Sequence, residues 1–452
     1  MMTASTQDQT TDALFARLSE QLFNELHANE CMTLSLQGEN VSYLRFNHAK
    51  IRQITQVTDA AVQLEFLKGQ RLLRCSFQLT DASVTQQFLT PLLDRLRKQI
   101  ELLPEDPYAV EPSTAESSRA VFKGKLPDND TFCQDFLGIA RDLDIVGIHQ
   151  SGTSYCGVAN SKGLKHWFET EGFASDYSIF HKNGKAVKGT LAGKDWDTAA
   201  VFKKMQNHRE VFQRLDREPI RLAPGKYRSY LEPDATADLL GMLSYRGVSE
   251  AALRQGDSGL ALLSSHSGAA KRLSEKFSVT EDFSLGLVPR FNENGELAAM
   301  KQPIMSKGEF VSSLINPRTA KEYGLQSNGA NSDESLRSPI VASGTLEPSA
   351  ALAALGTGIY VSNLHYLNWS DVPKGRVTGM TRYACMWVEN GQFVSPIVDL
   401  RFDDSLLELF GYKLESLSSK TELIPNVGSY GGRNLGGMVV PGVLINDFTY
   451  TL

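Results

Sequence analysis

The chain has 452 residues, 46 Lys and Arg against 52 Asp and Glu for a formal net charge of -6, and only eight His and five Cys. That length exceeds one ordinary domain and implies roughly two to four units with ample apolar material for buried cores, which rules out a small disulfide-stapled scaffold. With 22% charged and 41% hydrophobic residues and no Lys- and Arg-rich run, the composition is that of a soluble globular protein without the basic face that nucleic acid requires.

The opening stretch has no cationic side chain before Arg17 and no apolar core of a secretory signal. Leu14, Leu18, Leu22, Phe23 and Leu26 fall at helical spacing and predict a helix over Thr11 to Ala28. Met32 to Leu79 reads as successive short strands, because Leu44 and Phe46 alternate with Arg45 and Asn47, and Val62, Leu64 and Phe66 with Gln63 and Glu65. A second helix is predicted from Ser83, a plausible cap, to Leu103, ahead of Pro104. Residues 1–103 are thus expected as an N-terminal α+β domain of helix, antiparallel meander and helix. The three prolines and four acidic residues of Pro104 to Ser118 predict an exposed linker over 104–119.

A middle α/β segment over 120–230 follows. Its pattern predicts a helix at Asp130 to Asp142, strands from Ile145 to Phe180 broken at Ser151-Gly152-Thr153 and Asn160-Ser161-Lys162-Gly163, and a long amphipathic helix from Asp197 to Leu215 stopped by Pro219. Residues 231–452 are rich in glycine and turn residues, with helices near Asp234 to Tyr245, near Ala350 and around Ser405 to Phe410. No strand-Gly-helix crossover occurs there, so a large, mainly antiparallel β domain is expected and the fold class is α+β. The most apolar long stretch, Ala350 to Val361, is interrupted by Gly356, Thr357 and Gly358 and falls short of the roughly 20 residues of a membrane span. A cytoplasmic protein with no membrane association is expected. The cysteines, Cys31, Cys75, Cys133, Cys156 and Cys385, are scattered without a C-x-x-C pair and are expected as reduced thiols.

Few short motifs carry chemistry. Gly256-Asp257-Ser258-Gly259 is similar to the nucleophile loop of trypsin-like proteases, but His266 follows by eight residues without that family's pattern, so a polar turn before a strand at Leu260 to Leu263 is expected. There is no P-loop, and Gly356-Thr357-Gly358 lacks the third glycine of a dinucleotide fingerprint. His27 and Cys31 are four apart, but a strand is predicted to begin at Cys31. Asp403 and Asp404 are expected to cap the helix that holds Leu406, Leu407 and Leu409. His149 and His181 in polar strands, and His208 on the polar side of its helix, are expected to be solvated. No two His have the spacing of a helical metal site, and H-E-x-x-H is absent.

The order of larger features is more specific. Gly157-Val158-Ala159-Asn160-Ser161-Lys162-Gly163-Leu164 forms a G-x-x-N-S-x-G core. Downstream come Gly358-Ile359-Tyr360-Val361, Arg376-Val377-Thr378-Gly379, Trp387-Val388-Glu389-Asn390-Gly391-Gln392, Pro396 and Leu406-Leu407. In this order the pieces resemble the TldD/PmbA (TldD/TldE) family over almost the whole chain. In the catalytic branch of that family, L-x-P-x-A leads into a helix with H-E-x-x-x-H, which binds a metal and supplies a general base for peptide hydrolysis. Leu231-Glu232-Pro233-Asp234-Ala235 matches the first element, and the ungapped continuation puts Gly241 and Arg246 at the two His positions and Met242 at the Glu position. Glycine offers no donor atom, a thioether cannot abstract a proton from water, and a guanidinium repels a divalent metal. The C-terminal cysteine ligand of the catalytic branch also has no counterpart in Asn426 to Leu435.

The resemblance implies a TldE/PmbA-like subunit with no catalytic residue and no cofactor of its own. It would pair with a TldD-like catalytic subunit that carries the metal, expected to be zinc, and act on unfolded or small peptides, including peptide precursors. A homodimer in isolation is compatible with this, because related surfaces can self-associate. Gly356, Gly358, Ile359, Tyr360 and Val361 are candidate substrate contacts, since a Gly-rich strand can pair with an extended peptide through its backbone. A bulge or tight strand crossing explains the same glycines. Two further readings stay open: a non-enzymatic binding or regulatory protein, in line with the family's gyrase-modulator label, and a stand-alone peptidase using Cys156 or Ser258.

Overall fold

Strand β1 (Glu30–Asn47) has both of its edges hydrogen-bonded over most of its length, and it ties the first half of the chain together. In the computed structural model, which describes residues 10–114, 116–264 and 272–452, the chain begins with α1 (Thr11–Asn24). Thr10 caps this helix by accepting the Ala13 N–H at 3.3 Å. The meander of β1, β2 (Lys50–Lys68) and β3 (Arg71–Gln78) follows, then α2 (Gln86–Ile100). Leu18 and Leu22 of α1 and Leu89, Leu93 and Leu96 of α2 share one core with Leu34, Leu64 and Phe66 of the strands. α2 starts later than Ser83 because Ala82–Val84 forms a tight turn, in which the Ser83 hydroxyl donates to the Thr80 carbonyl at 2.7 Å.

After β4 (Ser118–Phe122) come β5 (Ile145–Asn160), β6 (Lys165–Phe180) and β7 (Ala186–Gly193). β5 pairs with β1 from Thr33 opposite Asn160 to Asn47 opposite Val146. The sheet order is β3-β2-β1-β5-β6-β4, with β7 also on β6. Residues 1–103 and 120–230, expected as separate units, therefore share one seven-stranded sheet, because β1 gives one edge to β2 and the other to β5. Nor does 104–119 hang free. The Asp106 N–H donates to the Gln70 carbonyl at 2.7 Å, the Asp106 carboxylate pairs with Arg318, and Lys321 donates to the Ala109 carbonyl at 2.6 Å.

The stretch at 130–142 is an α-turn, Asn129–Phe132, continued by a π-helical turn, Cys133–Leu137, instead of one regular helix. It packs Phe132 and Phe136 with Phe46, Val201 and Met205, the last two from the helix Thr198–Arg214 capped by Asp197.

The second sheet has thirteen mostly antiparallel strands. Strand Gly225–Leu231 lies inside it, between Gly437–Tyr450 and Gly358–Val361, so the boundary expected at 230/231 falls ahead of Gly225. The core of this half joins helix Pro233–Ser244 to Phe277, Phe402, Phe410 and Phe448. Short helices at Glu250–Gln255 and Pro317–Tyr323 carry no long apolar period and so leave no helical signal in the sequence. Ala261–Leu263 is a 3-10 turn where a strand was expected. Among the described residues no helix is long and apolar enough to cross a membrane.

Asp403 and Asp404 do not cap a helix. Asp404 is buried against Lys413, with oxygens 2.8 and 3.0 Å from Nζ, and it accepts the Thr449 N–H at 2.9 Å; Asp403 pairs with Arg376 at 2.8 Å. Removing one member of such a buried pair strands the other charge, so Lys413→Met is expected to lower stability by about 3–5 kcal/mol in a denaturant titration. A loss below about 1 kcal/mol would show that water already compensates Asp404.

Candidate functional site

Strand Gly225–Leu231 runs through Glu232 into helix Pro233–Ser244. Pro233 suits the first helical position, where an N–H would be unsatisfied and its fixed φ is already helical. The helix then buries Ala235, Thr236, Ala237, Leu239, Leu240, Met242 and Leu243. What stays accessible is a stripe of Asp234, Asp238 and Gly241, spaced by four and three residues on one face. Glu232 lies at the same end, just before the first turn.

Gly241 is on this stripe, and a side chain there would meet only the Met438 methyl, at 4.0 Å. Met242 points into the core and is 6% exposed. The helix ends at Ser244, so Arg246 lies outside it with a left-handed φ of 63°. Its guanidinium pairs with Asp257 at 2.7 Å and sits 5.4 Å over the Tyr245 ring. These three positions offer no donor set for a divalent metal. Among the described residues, no group of three or more His, Cys, Asp or Glu is arranged to hold one.

The stripe is instead a row of carboxylates. Glu232 accepts the Tyr360 hydroxyl in a short contact, Asp238 accepts the Leu364 N–H at 3.0 Å, and Asp234 has no hydrogen bond or ion pair among the described residues. Burial in a water-poor recess pushes Glu232 up to about 7, Asp234 up to about 6 and Asp238 up to about 7. The Tyr360 hydrogen bond, Lys204 and the Leu364 N–H oppose these shifts, while neighbouring carboxylates reinforce them.

The strand expected to pair with a peptide has no free edge. Gly358–Val361 pairs in parallel with Gly225–Leu231 and antiparallel with Met386–Glu389, so both backbone edges are taken. Its glycines serve the crossing: a Cβ on Gly358 would lie 2.2 Å from the Arg228 carbonyl oxygen, and Gly356 ends the helix Ala351–Leu355 at a φ of 66°. Ile359 and Val361 are core residues. Tyr360 alone of the five reaches the stripe, through its hydroxyl on Glu232.

Ser258 is a turn residue, buried and donating to the Gly247 carbonyl at 2.6 Å, and His266 lies outside the described residues. The buried Cys156 thiol is pushed up to about 12 by desolvation, which disqualifies it as a nucleophile. His149 and His181 are buried, not solvated. His149 stacks on Phe132 at 3.9 Å and bonds Ser175 at 2.7 Å, His181 meets Asp216 at 3.1 Å, and the half-buried His208 bonds the Tyr177 hydroxyl at 3.0 Å. Desolvation holds His149 and His208 at about 3, so both are neutral.

The connection from Asn426 to Leu435 docks on the first sheet. The Arg433 side chain donates to the Gly172 carbonyl at 2.7 Å and its N–H to Glu39 at 2.7 Å. Tyr430, fully exposed, stands at a cavity of about 800 Å³ that Arg45, Arg52, Asp176 and Lys188 also line.

The family model described as the PmbA/TldA metallopeptidase C-terminal domain matches residues 224–452. Three solved structures are similar along nearly the whole chain, each at 14% identity. TldE from Thermococcus kodakarensis has a TM-score of 0.74, covering 97% of this chain and 99% of that one. A proposed DNA gyrase modulator from Thermotoga maritima has 0.73, covering 96% and 100%. Another from Bacteroides thetaiotaomicron has 0.78, covering 98% and 99%. At this identity the likeness shows the shared fold. No curated protein matches the sequence.

A carboxyl whose pKa is higher folded than unfolded holds extra protons in the folded state between those two values, so stability falls as pH rises through that window. Asp234→Asn loses no hydrogen bond, and it is expected to raise the melting temperature by about 2–4 °C near pH 8, with the gain fading toward about pH 4. Thermal melts across that range check this, and a shift equal at every pH would contradict it.

Proposed function

Because this chain belongs to the TldD/PmbA family, we propose that it is a TldE-like, non-catalytic subunit that completes the substrate chamber of a TldD-like metallopeptidase. The observation that carries this reading is the state of the family's motif helix. Its apolar side is buried in the core, while the positions that would ligate the metal and activate water hold Gly241 and Met242 on the helix and Arg246 just past its end. The metal, expected to be zinc, belongs to the partner, and no step of hydrolysis runs through this chain. Its contribution is the wall formed by the carboxylate stripe, Tyr360 and the docked connection bearing Tyr430 and Arg433. The substrates are unfolded or small peptides.

The purified chain alone is expected to cleave no unfolded peptide, and cleavage is expected once a TldD-like chain bearing H-E-x-x-x-H is added, with loss on chelation. Cleavage by this chain alone would overturn the proposal. So would failure of every mixture with a TldD-like chain to cleave, an outcome that favours a regulatory binding protein.

A further inference from the structure

The cavity of about 800 Å³ beside Tyr430 is lined by three cationic side chains, Arg45, Arg52 and Lys188, and by one carboxylate, Asp176. Lys188 and Asp176 pair with each other. Arg45 and Arg52 make no hydrogen bond or ion pair among the described residues. Two guanidiniums thus face one recess with no anion to meet them. Like charges set side by side repel, and an anion placed between them removes that cost.

The local backbone brings the two together. β1 and β2 pair Arg45 with Gln53 and Phe46 with Ile51, which leaves Arg52 as the extra residue of a β-bulge. Regular pairing gives successive side chains to opposite faces, whereas a bulge sets the extra residue beside its neighbour on one face. Arg52 and Gln53 accordingly line the cavity together with Arg45.

The other wall supplies an independent feature. Ile148 of β5 lies opposite Arg45, and Asp176 of β6 lies opposite Ile148, so Asp176 and Ser178, two residues on, share the face of Arg45. Neighbouring strands are about 4.8 Å apart, which sets β1 and β6 about 10 Å apart across β5. Ser178 lines the cavity, is only 9% exposed, and has a hydroxyl with no partner among the described residues. A carboxylate entering between these walls can accept from the guanidiniums on one side and from the buried hydroxyl on the other. The exposed Tyr430 ring offers an aromatic face to the atoms that flank it.

We propose that this cavity is a subsite for a carboxylate of a peptide, either a Glu or Asp side chain or a free carboxyl terminus. This rests on the reading of the chain as a chamber wall for peptides. A guanidinium presents paired N–H donors that match both oxygens of a carboxylate. A volume of about 800 Å³ holds a side chain and its flanking backbone.

Calorimetric titration of the full chain near pH 7 tests this with four probes: acetyl-Gly-Glu-Gly-Gly-amide, its Gln and Lys counterparts, and the Gln peptide with a free carboxyl terminus. The Glu peptide, the free-carboxylate peptide or both are expected to bind about tenfold tighter than the amidated Gln peptide, and the Lys peptide is expected to bind weakest. The two anionic arms identify the source of the charge. Arg45→Gln combined with Arg52→Gln is expected to abolish the preference with the melting temperature unchanged, since both side chains are exposed. Arg95→Gln combined with Lys98→Gln removes the same charge from exposed positions on α2 and is expected to leave the preference intact. Equal binding of anionic and neutral probes, no binding, a preference that survives the loss of Arg45 and Arg52, or an equal loss from the α2 substitutions would overturn the proposal. Partner-dependent cleavage is read separately, so either reading can fail alone.

Discussion

Burial of the helix Pro233–Ser244 on all but one face is the constraint on which the rest depends. Its apolar residues belong to the core beneath the thirteen-stranded sheet, so the helix is a structural part of that half whatever its accessible positions carry. Its two acidic side chains lie with Gly241 along one stripe, where Asp238 accepts the Leu364 N–H and a side chain at Gly241 would meet only Met438. The helix thus acts as a structural member whose one partly open face carries Asp234 and Asp238.

The first sheet is assembled by β1. Because β1 bonds β2 on one edge and β5 on the other, β6 and β7 are held in place, with Lys188 of β7 paired to Asp176 of β6. Arg433 closes the arrangement from the other side, with its backbone on Glu39, which also accepts the Tyr43 hydroxyl at 2.8 Å, and its guanidinium on Gly172. The pair of Lys204 and Glu422 links helix Thr198–Arg214 to strand Leu414–Pro425 beside the stripe. The excess of carboxylates is tolerated because their protons are held to about pH 6–7, which lowers the charge that must be buried.

Much of this was legible in the sequence. The apolar periods of α1, α2, Thr198–Arg214 and Pro233–Ser244 mark each helix to within a few residues. What escaped was long-range. Alternation in β1 shows that it is a strand but not that β5, more than a hundred residues on, takes its second edge. The polar look of β5 hid His149, because its strand is covered on both faces and the imidazole is satisfied by Ser175 and the Phe132 ring. The acidic content of 104–119 suggested solvent, yet Asp106 is spent on Arg318. The glycines at 356 and 358 looked open to a peptide, whereas the neighbouring strands already fill that space. The carboxylate stripe had a local signal, Asp234 and Asp238 four residues apart in an otherwise apolar helix, but its meaning depends on Lys188 and Lys204 being already paired, which no local pattern reveals.

The claim at the centre is that this chain brings shape and charge to the chamber and no metal. Metal analysis of the purified chain after exposure to excess zinc and exhaustive dialysis tests it most directly. The chain is expected to retain far less than one zinc. Retention of one zinc per chain, released by substituting Asp234 and Asp238 with Asn, would contradict it.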